Sequence, residues 1–488
     1  MTTRLPRIMI SGTVLATAGL LSPAAVPVGA AAHTSTAHAP ATRAVIPPNF
    51  DVSARHGNEA ENDIAINPTK PSNIVAMSTL NGTGLFEGVS FDGGKSWTRK
   101  VIGTSRNGPL GLICCDEQLA WDRFGDLWMT YLVNTNGNTW VALSTDGGLT
   151  FTKAAEIVPT SSPGSKPPPG YRPRRLNNPG KISADQPSIA VGKGSVWVSY
   201  TGPGVIQAAG ARVTGLGKFG PFSKPESVPT SHGSGDFGDT AVGPAGQVMV
   251  TYQDFSGKGK SSIYTALDAN GLAAGGFTQP RLLARTRVLG FDPIPAQPHR
   301  TIDAEANLAW DYSGGPHSGR VYAVWTQETP VLGENNTDIM FQYSDDNGAT
   351  WTHPALLNTD HSGNSQFNPA IAVDQSTGDV AVSWYDCRND SGVGAAGDTD
   401  WIPNDDMQVW ATYSFDGGVS FAPNFRVSAG TSNAPDAHSG FDYGDYTHAA
   451  FADHLFYPAW SDNSNSAHQN PDGTHHQLDL FTAKVVIP

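Results

Sequence analysis

Between Asp436 and His448 the chain reads DAHSGFDYGDYTH, which crowds Asp442, Tyr443, Asp445, Tyr446 and His438 into one short segment. Carboxylates can act as acid, base or nucleophile, and histidine and tyrosine can move protons. Gly440 and Gly444 admit a second reading, a tight entry turn whose aromatics fill space. A further dense segment is WYDCRND, Trp384 to Asp390, where Asp386 and Arg388 leave an apolar run; the pair also reads as a structural ion pair. The catalytic candidates are thus Asp445, Tyr446, Tyr443, His438 and Asp386. Arg300, Arg388 and Arg55, with His299 and His56, are the candidates for holding substrate, because arginine grips an anionic sugar bidentately.

These residues need a scaffold, and a long repeat supplies one. Seven segments share the pattern apolar-Ala-apolar, a turn, and then a β-branched or aromatic run: DIAINPTKPSNIVAMST from Asp63, QLAWDRFGDLWMTYL from Gln118, SIAVGKGSVWVSYT from Ser188, DTAVGPAGQVMVTYQD from Asp239, NLAWDYSGGPHSGRVYAVWTQ from Asn307, AIAVDQSTGDVAVSWYD from Ala370 and HAAFADHLFYPAWSD from His448. Each reads as two paired strands. Aligned on the shared alanine, most copies carry an acid four or five positions earlier: Glu61, Asp116, Asp185, Asp236, Glu305 and Asp445. In a ring these converge on one opening and repel, so they must be protonated, paired with arginine or bound to a cation. Calcium is the hard-ligand candidate for Glu61, Asp116, Asp185, Asp236 and Glu305. The chain has no D-x-D-x-D-G calcium loop, and such acids can also simply accept backbone hydrogen bonds.

Four octets punctuate the repeat: SFDGGKSW (Ser90 to Trp97), STDGGLTF (Ser144 to Phe151), SDDNGATW (Ser344 to Trp351) and SFDGGVSF (Ser414 to Phe421). Asp92, Asp146, Asp346 and Asp416 suit acceptance of turn N–H groups, and the glycine two positions on supplies φ > 0. The octets therefore mark hairpins and not catalysis. They are Asp-boxes, and the chain resembles the secreted bacterial sialidase-like (BNR/Asp-box repeat) β-propellers. The expected fold is all-β: a seven-bladed β-propeller of four-stranded antiparallel blades, with each box between third and fourth strands. Blades three and four carry eroded boxes. Blade seven lacks a fourth strand, and NFDVSA (Asn49 to Ala54) nearly repeats NFRVSA (Asn424 to Ala429) of blade six, so the N-terminal strand is expected to complete the last blade. The resemblance implies a glycan as substrate or ligand. True sialidases pair an Arg-Ile-Pro motif with two later arginines, a Tyr–Glu nucleophile and an Asp acid/base. This chain has no Arg-Ile-Pro, and its YRPRR (Tyr171 to Arg175) falls in a different blade.

Arg4 and Arg7 precede an apolar run, Ile8 to Ala25, followed by small residues, as in a secretory signal. The expected division is residues 1–32 as signal peptide, 33–48 as disordered leader and 49–488 as a single propeller. Loss of the signal takes the formal charge from −14 to −16, which argues against nucleic acid as a partner. No later segment is long and apolar enough to span a membrane. In an exported chain three cysteines leave one over, and the adjacent Cys114 and Cys115 can form a vicinal disulfide. The function classes are a secreted glycoside hydrolase of sialidase-like kind, a polysaccharide lyase using His or Tyr with Arg on a uronate, and a non-catalytic glycan-binding propeller.

Overall fold

Each repeat copy supplies two strands ready to pair, and the segment after it supplies two more. The computed structural model describes residues 44–134, 137–160, 184–202, 205–230, 235–255, 261–329 and 335–488. The signal segment and Tyr171 to Arg175 lie outside them. Among the described residues seven antiparallel sheets form the blades, and one further two-stranded sheet lies between blades four and five. Blade one comprises Glu59–Ile66, Ile74–Leu80, Leu85–Ser90 and Thr98–Ile102. Blades two to six begin with Ile113–Trp121, Asp185–Gly192, Thr240–Val242, Asn307–Trp310 and Gln366–Val373. The core lies between neighbouring blades; Val75 and Val89 of blade one, for example, pack with Leu127, Met129 and Ala142 of blade two.

Blade seven holds Ala449–Ala452, Leu455–Asp462, Asp479–Thr482 and, outermost, Phe50–Asp51. Phe50 stands opposite Thr482 and Asp51 opposite Phe481, so the N-terminal strand does close the ring and covers an edge that would otherwise be bare. The order begins earlier than expected. Val45 exchanges backbone hydrogen bonds of 3.1 and 2.9 Å with Val486, which fixes the last residues of the stretch read as a leader.

All four boxes form the expected turns between third and fourth strands. Asp416 accepts from the Ser420 N–H at 2.8 Å and the Ser420 hydroxyl at 2.6 Å, while the Ser414 hydroxyl accepts the Gly418 N–H at 2.8 Å. Gly94, Gly148, Gly348 and Gly418 have φ between 76° and 95°. Each box also touches the preceding blade. Tyr457 donates to Gly93 O, Asn73 to Gly147 O, Arg281 to Ala349 O and Arg320 to Gly417 O, at 2.6–3.1 Å.

The closing strand carries an unusual pair. Asp51 and Asp479 are 1% and 0% exposed, neither oxygen of Asp479 meets a donor group, and Asp51 is its hydrogen-bonding neighbour. Burial first, then the charges of Asp51 and Glu59, push Asp479 up to about 11. A raised folded-state value means that folding takes up a proton above the ordinary carboxyl range. The resulting stability is full below about pH 4 and is lost as pH climbs toward about 11. Melting temperature is therefore expected to fall between about pH 6 and pH 9, and Asp479→Asn, which cannot ionise, is expected to flatten that fall; equal slopes would contradict the proton-sharing pair. Asp416→Ala is expected to cost about 1–3 kcal/mol in urea unfolding, because it leaves turn donors without acceptors.

Candidate functional site at the tunnel mouth

Four positions before the shared alanine, the first strand of most blades leaves regular pairing. Glu61, Asp116, Gln186, Phe237 and Asn368 all have φ between 40° and 58°, and the register slips there in blades one, two, three and six. Such a bulge re-aims a side chain. Here it turns polar groups from successive blades toward one opening.

One cation meets them. In the connection from blade four to blade five, Asp292–Ile294 pairs with Gln297–Ile302 to form an extra hairpin, which carries His299 and Arg300 over the mouth. The Arg300 Nε donates to Asp445 Oδ1 at 2.5 Å, and one Nη reaches Glu61 Oε1 at 2.9 Å and also the second Asp445 oxygen. Burial opposes the Arg300 charge, but Asp445 and Glu61 outweigh it and hold the guanidinium protonated. Gln186 Nε2 donates to Asp445 at 3.0 Å. Buried Asp442 accepts the backbone N–H groups of His299 and Arg300 at 2.8 and 2.9 Å and meets His299 Nδ1 at 3.2 Å. Gln297 ties the hairpin to the entry of blade seven through Gly444 O and Tyr443 N. Gly444, at φ +84°, lies so close to Glu61 that a Cβ would sit 2.8 Å from the Glu61 nitrogen, which leaves room for glycine alone.

Burial raises several of the remaining acids. Burial, then the charge of Asp236, raises the partly exposed Asp185 to about 6 despite Arg300. Burial lifts Asp236 to about 7. Asp303 and Glu305 are raised well above the usual range by burial and then by Asp445. Tyr446, 5% exposed, has its phenol pushed up by burial and surrounding acids, and its hydroxyl has no hydrogen-bond partner. No three of the acids expected to ligate calcium bring oxygens within 4.8 Å of one another, among the described residues.

Several candidates are held elsewhere. Tyr443 is fully buried, stacks on Tyr385 at 4.9 Å, donates to Ser432 O and accepts the Ala434 N–H; it is a packing residue. Asp386 accepts the Trp384 indole N–H at 2.7 Å and pairs with Arg388 at 2.6 Å. Arg388 also faces Asp360 and lies over Trp410, with its side chain 9% exposed, so neither is presented to a ligand. The reason is visible in blade seven, where Trp460 donates to Asp462 in the same W-x-D relation. Arg55 pairs with Glu59 and His56 with Asp472, and not with members of the Arg300 cluster. His438 ends a short helix in the left-handed conformation and is exposed. Cys114 and Cys115 are joined, just before Asp116, and Cys387 is a free buried thiol. Sequence reading missed Asp303, Gln186 and Gln297, although Gln186 occupies the same repeat position as Glu61.

A cavity of about 800 Å³ opens on the other face. It is the axial tunnel, lined by first strands down to turns such as Pro68, Pro71 and Tyr312, and it stops at the level of Asp63, Gln118, Asp239 and His448. The convergent titratable groups lie at the mouth, and chemistry needs those. Arg300→Met leaves two buried carboxylates without their cation and is expected to cost about 2–4 kcal/mol; adding Asp445→Asn is expected to recover part of that loss in the same denaturation assay.

The BNR/Asp-box repeat family matches residues 342–353. No curated protein matches the chain in sequence. Among solved structures it is similar to an α-L-arabinanase of Penicillium chrysogenum complexed with arabinobiose, at 14% identity, covering 76% of this chain and 98% of that one with a TM-score of 0.44. It is similar also to a protein of unknown function from Dyadobacter fermentans (11%, 91% and 99%, 0.48) and to the BP39L lectin of Burkholderia pseudomallei (11%, 76% and 84%, 0.45). Each likeness is weak, one of fold and not of chemistry. The chain is a seven-bladed β-propeller built with BNR/Asp-box repeats.

Proposed function

We propose that the protein is an exported glycoside hydrolase that acts at the tunnel mouth. The observation supporting this is the division of the mouth carboxyls into two kinds side by side. Asp185 holds its proton to about pH 6 and is partly exposed, whereas Asp445 is paired with Arg300 and lies near enough to act on Asp185. Glycosidic cleavage uses that division: an acid to protonate the leaving oxygen, and a carboxylate to stabilise or attack the sugar or to activate water. Asp185 is the acid in this reading and Asp445 the carboxylate. His299, oriented by Asp442, is a second proton carrier at the rim.

The charge balance bears on the substrate. Arg300 is committed to Asp445 and Glu61, and Arg388 to Asp386 and Asp360. Neither is available to grip a sialic or uronic carboxylate among so many acids, so a neutral glycan fits better, and hydrolysis fits better than a lyase or sialidase reaction. Export rests on the apolar segment after Arg4 and Arg7. A binding propeller without turnover is the second reading, favoured by the low exposure of Asp445 (6%) and Tyr446.

Incubation with neutral polysaccharides, sialosides and uronate polymers, following reducing ends and ultraviolet absorbance, is expected to release reducing ends from a neutral glycan only. Asp185→Asn and Asp445→Asn are each expected to lower kcat about 100-fold or more with the fold intact, and the wild-type rate is expected to fall above about pH 6 as Asp185 loses its proton. Unchanged turnover in both variants places the site elsewhere, and binding without products supports the second reading.

A further inference from the structure

From Asn389 to Phe425 the chain has no lysine, arginine or histidine, yet it carries Asp390, Asp398, Asp400, Asp405 and Asp406. The loop leaving the second strand of blade six folds these acids together. Asp390, Asp405 and Asp406, all buried, bring carboxylate oxygens within 4.8 Å of one another, and Asp398 and Asp400 do the same with Asp406. The backbone enforces the first gathering: Asp390 Oδ2 accepts the N–H groups of both Asp405 and Asp406, at 2.8 and 2.9 Å. Asp405 is 4% exposed and its Oδ1 has no hydrogen-bond partner. The neighbours acting most strongly on it are all carboxylates, Asp400, Asp406 and Asp390. The nearest arginine in sequence, Arg388, is committed to Asp386 and Asp360. A buried acid that faces only other acids leaves its charge without compensation.

We propose that this loop is a calcium site, with Asp390, Asp405 and Asp406 as ligands. Two oxygens each about 2.4 Å from one ion lie at most about 4.8 Å apart, so the observed gathering fits the calcium–oxygen distance. Oxygen donors alone, all of them hard, select calcium over a transition metal. The same loop reaches the next blade. Asp400 accepts from Asn433 at 3.4 Å, and Asn433 caps the Ala434–Ala437 helix that leads to Asp442 and Asp445. The loop that carries the ion thus also touches the entry of blade seven.

The test is calcium titration of the EDTA-treated full-length protein by calorimetry and thermal melting, with terbium as an optical probe. Binding of calcium with a rise in melting temperature is expected, together with terbium emission sensitised by Trp401, which is 71% exposed and adjoins Asp400. Asp405→Asn and Asp406→Asn are each expected to weaken binding by at least tenfold, and Trp401→Phe to lower the terbium emission while calcium binding stays. Glu305→Gln, at the tunnel mouth, is expected to bind calcium as the wild type does. No calcium binding by the wild type, undiminished binding by both loop variants, or loss of binding in Glu305→Gln would each overturn the assignment. Because Trp401 emission reports the place directly, the proposal stays testable if a loop variant fails to fold.

Discussion

The mouth is assembled between blades. Arg300 comes from the hairpin ahead of blade five, Asp445 from the entry to blade seven, Glu61 from blade one and Gln186 from blade three. None of these contacts survives if the ring opens, and the ring is shut by a strand of two paired residues, Phe50 and Asp51. So short a strand needs help. It receives it from Val52 N bonded to Leu480 O at 2.8 Å, Asn49 bonded to Val427 O at 3.0 Å, and the bridge from Val45 to Val486. Tension on closure and geometry at the mouth are therefore one problem.

Seven first strands aimed at one axis bring like charges together, and the protein resolves the conflict in two ways. Two carboxylates 4 Å apart repel by about 4 kcal/mol at an effective dielectric of about 20. Holding a proton three pH units above the ordinary carboxyl range costs about the same. With one arginine against this many acids, protonation wins for Asp236, Asp303 and Glu305, while Asp445 and Glu61 keep the guanidinium. The mixed collar is thus a consequence of charge crowding, and the same crowding gives it the means for acid and base chemistry.

Architecture was legible in the sequence because it is periodic. Seven alanine-centred copies gave the blades, four boxes gave the third turns, and the near-duplicate of Asn424 to Ala429 at Asn49 to Ala54 revealed the closing strand. The site was legible only in part, since a repeat register shows which residues approach the axis but not whom they meet there. Arg300 reaches Asp445 by way of a hairpin hidden in a long connection. Asp386 looked reactive until its indole partner placed it in a W-x-D pair, repeated in blade seven. Tyr443 and Tyr446, three residues apart, differ wholly in surroundings: one hydroxyl bonds Ser432 and Ala434, the other bonds nothing.

The boxes do more than turn the chain. Because Gly93, Gly147, Ala349 and Gly417 each accept a side chain from the blade before, a box brings its own seam to the neighbour. Blade and joint then form one cassette, which can be copied or deleted without redesigning the surface it lands on. Where the box has eroded, the seam must be improvised: at blade three, Asp126 of blade two reaches the Gly217 N–H at 2.7 Å. A ring made of self-joining units can drift in sequence at each blade separately, provided that each successor keeps a hydrogen-bonding partner for the group its predecessor offers.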